Sequence, residues 1–161
     1  MRWGALWRLM PWALVAGQVA GTRAHADEAD VTLPSFVAFQ VANVSLATTG
    51  NPDPATLAFS NGLFHGNRSL RISVRAEAAA FTPPAGNAIP CSNVSWAIGS
   101  AQSGTGFPGT LGTSYVVVYQ GARFATSGSC DTTWALSAPG PLIRAGYHTL
   151  TVRWMLESER P

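Results

Sequence analysis

The sequence predicts an all-β protein, an antiparallel β-sandwich of about seven strands. Three observations carry this. Residues 69–76 (SLRISVRA) alternate Leu70, Ile72 and Val74 with Arg71, Ser73 and Arg75, the period of two that marks a half-buried strand. Residues 93–98 (NVSWAI) repeat the pattern with Val94, Trp96 and Ile98 on one face. Turn residues separate all such segments, and no stretch shows a sustained helical period.

Taken in order, the chain opens on an expected export signal, residues 1–26. Arg2 and Arg8 give the positive start, residues 9–15 (LMPWALV) the short apolar run, and Ala24, His25 and Ala26 a small-x-small cleavage site. The run is shorter than the roughly 20 apolar residues of a spanning helix. No later stretch is apolar enough to span either. One mature domain, residues 27–161, is expected.

Its first segment, residues 31–41 (VTLPSFVAFQV), is β-prone, with Pro34 forcing a bend or an edge. Residues 48–54 (TTGNPDP) read as a dense turn, residues 55–60 as a short strand, and residues 77–81 (EAAAF) as at most one helical turn. Residues 99–112 hold five glycines and no charge, so a long exposed loop is expected there. Residues 114–120 (SYVVVYQ) are apolar on both faces, as in a central or interface strand. Residues 131–137 and 147–156 complete the seven, arranged as an immunoglobulin-like sandwich.

Removal of the signal takes Arg2, Arg8 and Arg23, leaving seven basic against eight acidic residues, a net charge of −1. Nucleic acid is therefore not an expected partner. Lysine is absent, which excludes Schiff-base chemistry and lysine isopeptide links. Charged residues are 11% of the chain, less than half the usual ~25%, which suits an extracellular or self-associating surface. The cysteine pair, Cys91 and Cys130, reads as a disulfide in an exported chain. Each Cys directly precedes an expected Trp-bearing strand, so the bridge would hold the two strand starts together.

Hydrolytic chemistry needs a nucleophile, a base and an orienting group. No GxSxG elbow is present, and His65 and His148 stand outside any motif. Two cysteines and two scattered histidines lack metal spacing. Neither an enzyme, a cofactor nor a metal is expected.

The last stretch carries Trp134-Ala135-Leu136 and Trp154-Met155-Leu156, each placing a Trp and a Leu on one face of a strand. With Tyr147, Thr149 and Thr151 before the second copy and Pro161 after it, this stretch resembles the WxL domain of bacterial cell-surface proteins. The resemblance covers about the last thirty residues. It implies an exported β-rich module held non-covalently on the cell wall, with peptidoglycan as ligand and Trp134, Leu136, Trp154 and Leu156 as binding residues. Phe107, a lone aromatic between Gly106 and Pro108, is a further expected docking residue. Cell-wall glycan or another surface protein is the expected partner. The other expectation is a pilin-like or coat-like structural subunit that self-associates by strand addition, suggested by the low charge and the detachable-looking segment 31–41.

Overall fold

The computed structural model describes residues 28–160 in full and residues 3–9 as backbone. It is an all-β sandwich, as the alternation predicts. The described residues form twelve strands: β1 (Trp3–Leu9), β2 (Glu28–Thr32), β3 (Ala38–Val41), β4 (Thr48–Asn51), β5 (Ala55–Leu63), β6 (Ser69–Ala76), β7 (Val94–Gln102), β8 (Gly104–Gly106), β9 (Gly109–Thr110), β10 (Val116–Gly121), β11 (Gly128–Leu136) and β12 (Tyr147–Glu159). Cys91–Asn93 form a single 3-10 turn, and the described residues contain no α-helix. Residues 77–81 form a bend, with Ala80 bridged to Pro90, instead of a helical turn.

One layer runs β3, β1, β12, β6, β10, β8; the other places β5 and β7 on either side of β11, with β2 outside β5 and β9 outside β7. β4 pairs with both β3 and β11 and so joins the layers at one side. Among the described strands all pairings are antiparallel except that of β1 with β12.

The core follows the period of two. β11 buries Cys130, Thr132, Trp134 and Leu136; β5 buries Ala55, Leu57 and Phe59; β12 buries His148, Leu150 and Val152. On β6 the inward Leu70, Ile72 and Val74 are buried, and so is the outward Ser73, because β10 and β12 flank it on both sides. Arg71 and Arg153 on the outer face pair with Glu159 and Glu77.

Two expectations are corrected. Cys91 and Cys130 are free thiols, both buried. The expected bridge assumed that two strand starts lie together. β7 and β11 are antiparallel neighbours, with Val94 opposite Leu136 and Ala101 opposite Cys130. The starts therefore lie at opposite ends of the pair, on the order of 25–30 Å apart at strand rise, against about 7 Å for a disulfide. Secondly, residues 99–112 are not a long loop: they end β7 and form β8 and β9. Their glycines answer close packing. A Cβ on Gly109 would lie 2.5 Å from Trp96 Cζ2, and one on Gly106 would lie 2.8 Å from Ile98 and 2.9 Å from the Cys130 sulfur.

Candidate functional site

The two Trp-x-Leu copies have different environments. Trp134 is 3% and Leu136 0% exposed, so the first copy is core. Trp134 stacks on Trp96 at 5.1 Å between ring centroids, and its Nε1 donates to Thr132 Oγ1 at 2.9 Å. That hydroxyl donates to the Ala55 carbonyl at 2.6 Å, which leaves the buried pair satisfied. Trp96 Nε1 donates to the Phe107 carbonyl at 2.7 Å, while the Phe107 ring is 40% exposed. The backbone of Phe107 is thus part of the fold and its side chain is open.

The second copy lies where the sandwich opens. Trp154 is half-buried, edge-on to Trp134 at 6.4 Å, and its Nε1 is buried with no hydrogen-bond partner. Leu156 shares the inward phase with Leu150 and Val152 but is 44% exposed. The cause is the neighbouring strand position. β12 pairs with β6 along Val152–Glu159 on one side. On its other side β1 covers it only from Tyr147 to Val152, with Gly4 opposite Tyr147 and Leu9 opposite Val152. Among the described residues no strand pairs with residues 153–159 on that side.

β1 also pairs with β3, placing Trp3 opposite Val41 and Leu6 opposite Ala38. β3 and β12 make no pairing with each other. The strand position between them is filled by residues 3–9, which fall within the expected export signal; the expected cleavage site, residues 24–26, lies outside the described residues. On either side of this position the inward residues are core: Phe39 and Val41 on β3, His148, Leu150 and Val152 on β12. A chain without residues 1–26 has two facing strand edges whose N–H and C=O groups need partners. No sequence motif marks this position, because it is defined by the pairing of residues 3–9 with β3 and β12.

Elsewhere several polar groups are paired, although Ser73 Oγ and the Nε atoms of Arg71 and Arg75 are, like Trp154 Nε1, buried without a hydrogen-bond partner. Asp131 accepts from Thr56 Oγ1 and Ser100 Oγ, both at 2.7 Å, and these two bonds hold its carboxyl below the usual range. Burial, aided by the Asp131 charge, pushes the Cys130 thiol up to about 11. Burial likewise pushes the Tyr119 hydroxyl up to about 12; it donates to the Gln102 and Ser103 carbonyls. His148 is buried with Nε2 3.0 Å from the Arg144 carbonyl. An open cleft of about 370 Å³ is lined by Leu33, Pro34, Phe36, Pro52 and Thr56, and one of about 360 Å³ by Gly66, Asn67, Arg123 and Arg160. Neither joins a nucleophile to a base. Among the described residues no group of three or more His, Cys, Asp or Glu is placed to hold a metal ion.

Comparison of the chain with family models, with curated proteins and with solved structures found no match.

Proposed function

We propose that the exported, trimmed chain is a structural subunit that assembles with further copies by strand addition outside the cytoplasm, and that the β3–β12 strand position receives the incoming strand. One observation carries this reading: among the described residues β3 and β12 are joined through residues 3–9, a segment the signal reading removes. An extended strand entering that position supplies main-chain hydrogen bonds to both edges and covers the apolar residues beneath. The low charge of the chain, 11%, suits close packing of copies. The reading is tested on purified chain 27–161. Filaments or large oligomers in electron micrographs are expected, with chain 1–161 remaining monomeric. A trimmed chain that stays a clean monomer at high concentration defeats the proposal.

A surface-binding role of the WxL kind has its accessible residues in Leu156 and Phe107, since Trp134 and Leu136 are core. Retention of the trimmed domain on isolated cell wall, reduced by Phe107→Ser, supports it. No retention defeats it.

A further inference from the structure

Three Asn-x-Ser triplets, Asn43-Val44-Ser45, Asn67-Arg68-Ser69 and Asn93-Val94-Ser95, have the form of acceptors for an asparagine-linked glycan. Such a triplet needs a surface loop, an accessible Asn amide nitrogen and a hydroxyl that the fold does not already use. Asn67 is exposed, but Ser69 is 0% exposed and its hydroxyl accepts from Gln120 Nε2 at 2.7 Å. Asn93 closes the 3-10 turn, and its carbonyl accepts from Ser137 N at 2.8 Å and Ser137 Oγ at 3.0 Å. Ser95 beyond it is held in β7, between Ala135 of β11 and Thr110 of β9.

Asn43 differs from both. It and Ser45 are exposed, in the turn between β3 and β4. Ser45 N–H donates to Asn43 Oδ1 at 2.9 Å and Leu46 N–H to the Asn43 carbonyl at 3.2 Å, so the triplet is folded into an Asx turn. With Oδ1 held by the backbone, Nδ2 is the free end of the amide and makes no hydrogen bond among the described residues. Leu46 in the same turn is 61% exposed, and no charged residue lies between positions 31 and 52. The turn thus presents an apolar side chain with no charge in its own segment to hold water around it.

We propose that Asn43 is a glycosylation site of the exported chain and that Asn67 and Asn93 are not. The inference rests on the export half of the reading above and is independent of strand addition. The donor is an oligosaccharide joined to a lipid through a diphosphate. Asn43 Nδ2 attacks the anomeric carbon of the first sugar. The carbon–nitrogen bond forms and the bond from that carbon to the phosphate oxygen breaks. The lipid diphosphate leaves with the electron pair, and the proton lost from Nδ2 passes to a base of the transferase. The added sugar supplies the hydration that the turn around Leu46 lacks.

The test incubates folded chain 1–161 with an oligosaccharyltransferase and a lipid-diphosphate oligosaccharide. Peptide masses are read before and after peptide-N-glycosidase, which leaves Asp where a glycosylated Asn stood. A glycan on the Asn43 peptide alone is expected. Ser45→Ala should abolish it and Ser45→Thr should keep it, both with the Tm of wild type, because Ser45 is exposed and the Asx bond uses its main-chain N–H. A folded chain bare at Asn43, or modified at Asn67 or Asn93, overturns the assignment. The same peptides are then read from protein recovered outside the cytoplasm of exporting cells. A trimmed chain bare at Asn43 overturns the proposal and leaves the export reading standing. A chain found only inside the cell, with residues 1–26 retained, defeats the export reading and the proposal with it.

Discussion

Asp131 shows how a single side chain is set by its neighbours in this fold. It sits on the outer side of β11, between Thr56 of β5 and Ser100 of β7, and receives a hydroxyl hydrogen bond from each. Those bonds favour the charged form, so the folded pKa lies below the unfolded one. The stabilisation is therefore complete above the ordinary Asp range, about 3.9, and is lost as pH falls below it through the folded value. Asp131→Asn should lower stability at neutral pH by about 1 kcal/mol, since both hydroxyls lose a charged acceptor on a partly exposed surface. As pH falls through the lowered folded pKa the variant and the wild type should converge, as urea titrations at a series of pH values would show. Curves that run parallel down to pH 2 would contradict the assigned role. The cysteines follow a different logic. Burial raises both thiols, so the thiolate needed for oxidation or exchange is scarce in the folded chain.

At the scale of the element, residues 99–112 are the instructive segment. Five glycines in fourteen residues read as mobility, yet β8 and β9 lie against β10 and β7. Gly109 is there because the Trp96 ring occupies the space a side chain would need. Gly109→Ala should therefore cost about 1–3 kcal/mol, as overpacking does. Gly112 has open space where its Cβ would be, with nothing within 4 Å. Gly112→Ala should stay within ~0.5 kcal/mol of wild type. Thermal unfolding of the two variants side by side separates packing from flexibility, and equal losses would show that the glycines serve the backbone after all. β4 is a similar case. Thr48–Asn51 read as part of a turn in sequence, but Thr48 and Thr49 pair with Leu136 and Ala135 and the segment joins the two layers.

At the scale of the whole molecule, the proposed strand addition would make the strand position between β3 and β12 couple folding to association. In the proposed trimmed subunit, loss of residues 3–9 would leave β3 and β12, with Phe39, Val41, Leu150 and Val152, without the strand between them. A strand from another copy binds the folded form only, so it stabilises by mass action. The Tm of chain 27–161 should rise with protein concentration, by roughly 2.7 kcal/mol of stability at a hundredfold excess over the dissociation constant. A Tm independent of concentration over three decades would mean that the trimmed chain closes its own edges.

The sequence by itself determined the class of fold, because alternation is a local property of a strand. Leu70, Ile72 and Val74 announce a buried face whatever lies opposite, and β6 spans Ser69–Ala76 as that pattern predicts. It also determined that Trp96 and Trp134 face the core. Only the tertiary structure decided the rest, and the reason is pairing. Antiparallel neighbours begin at opposite ends, which separates Cys91 from Cys130 although each opens a Trp-bearing strand. The two Trp-x-Leu copies are alike in sequence and differ in setting: β11 is paired on both sides at Ala135 and Leu136, while among the described residues β12 is paired on one side only beyond Val152. Which strands become neighbours is not written in the alternation of either one; it is visible only when the paired strands are seen side by side.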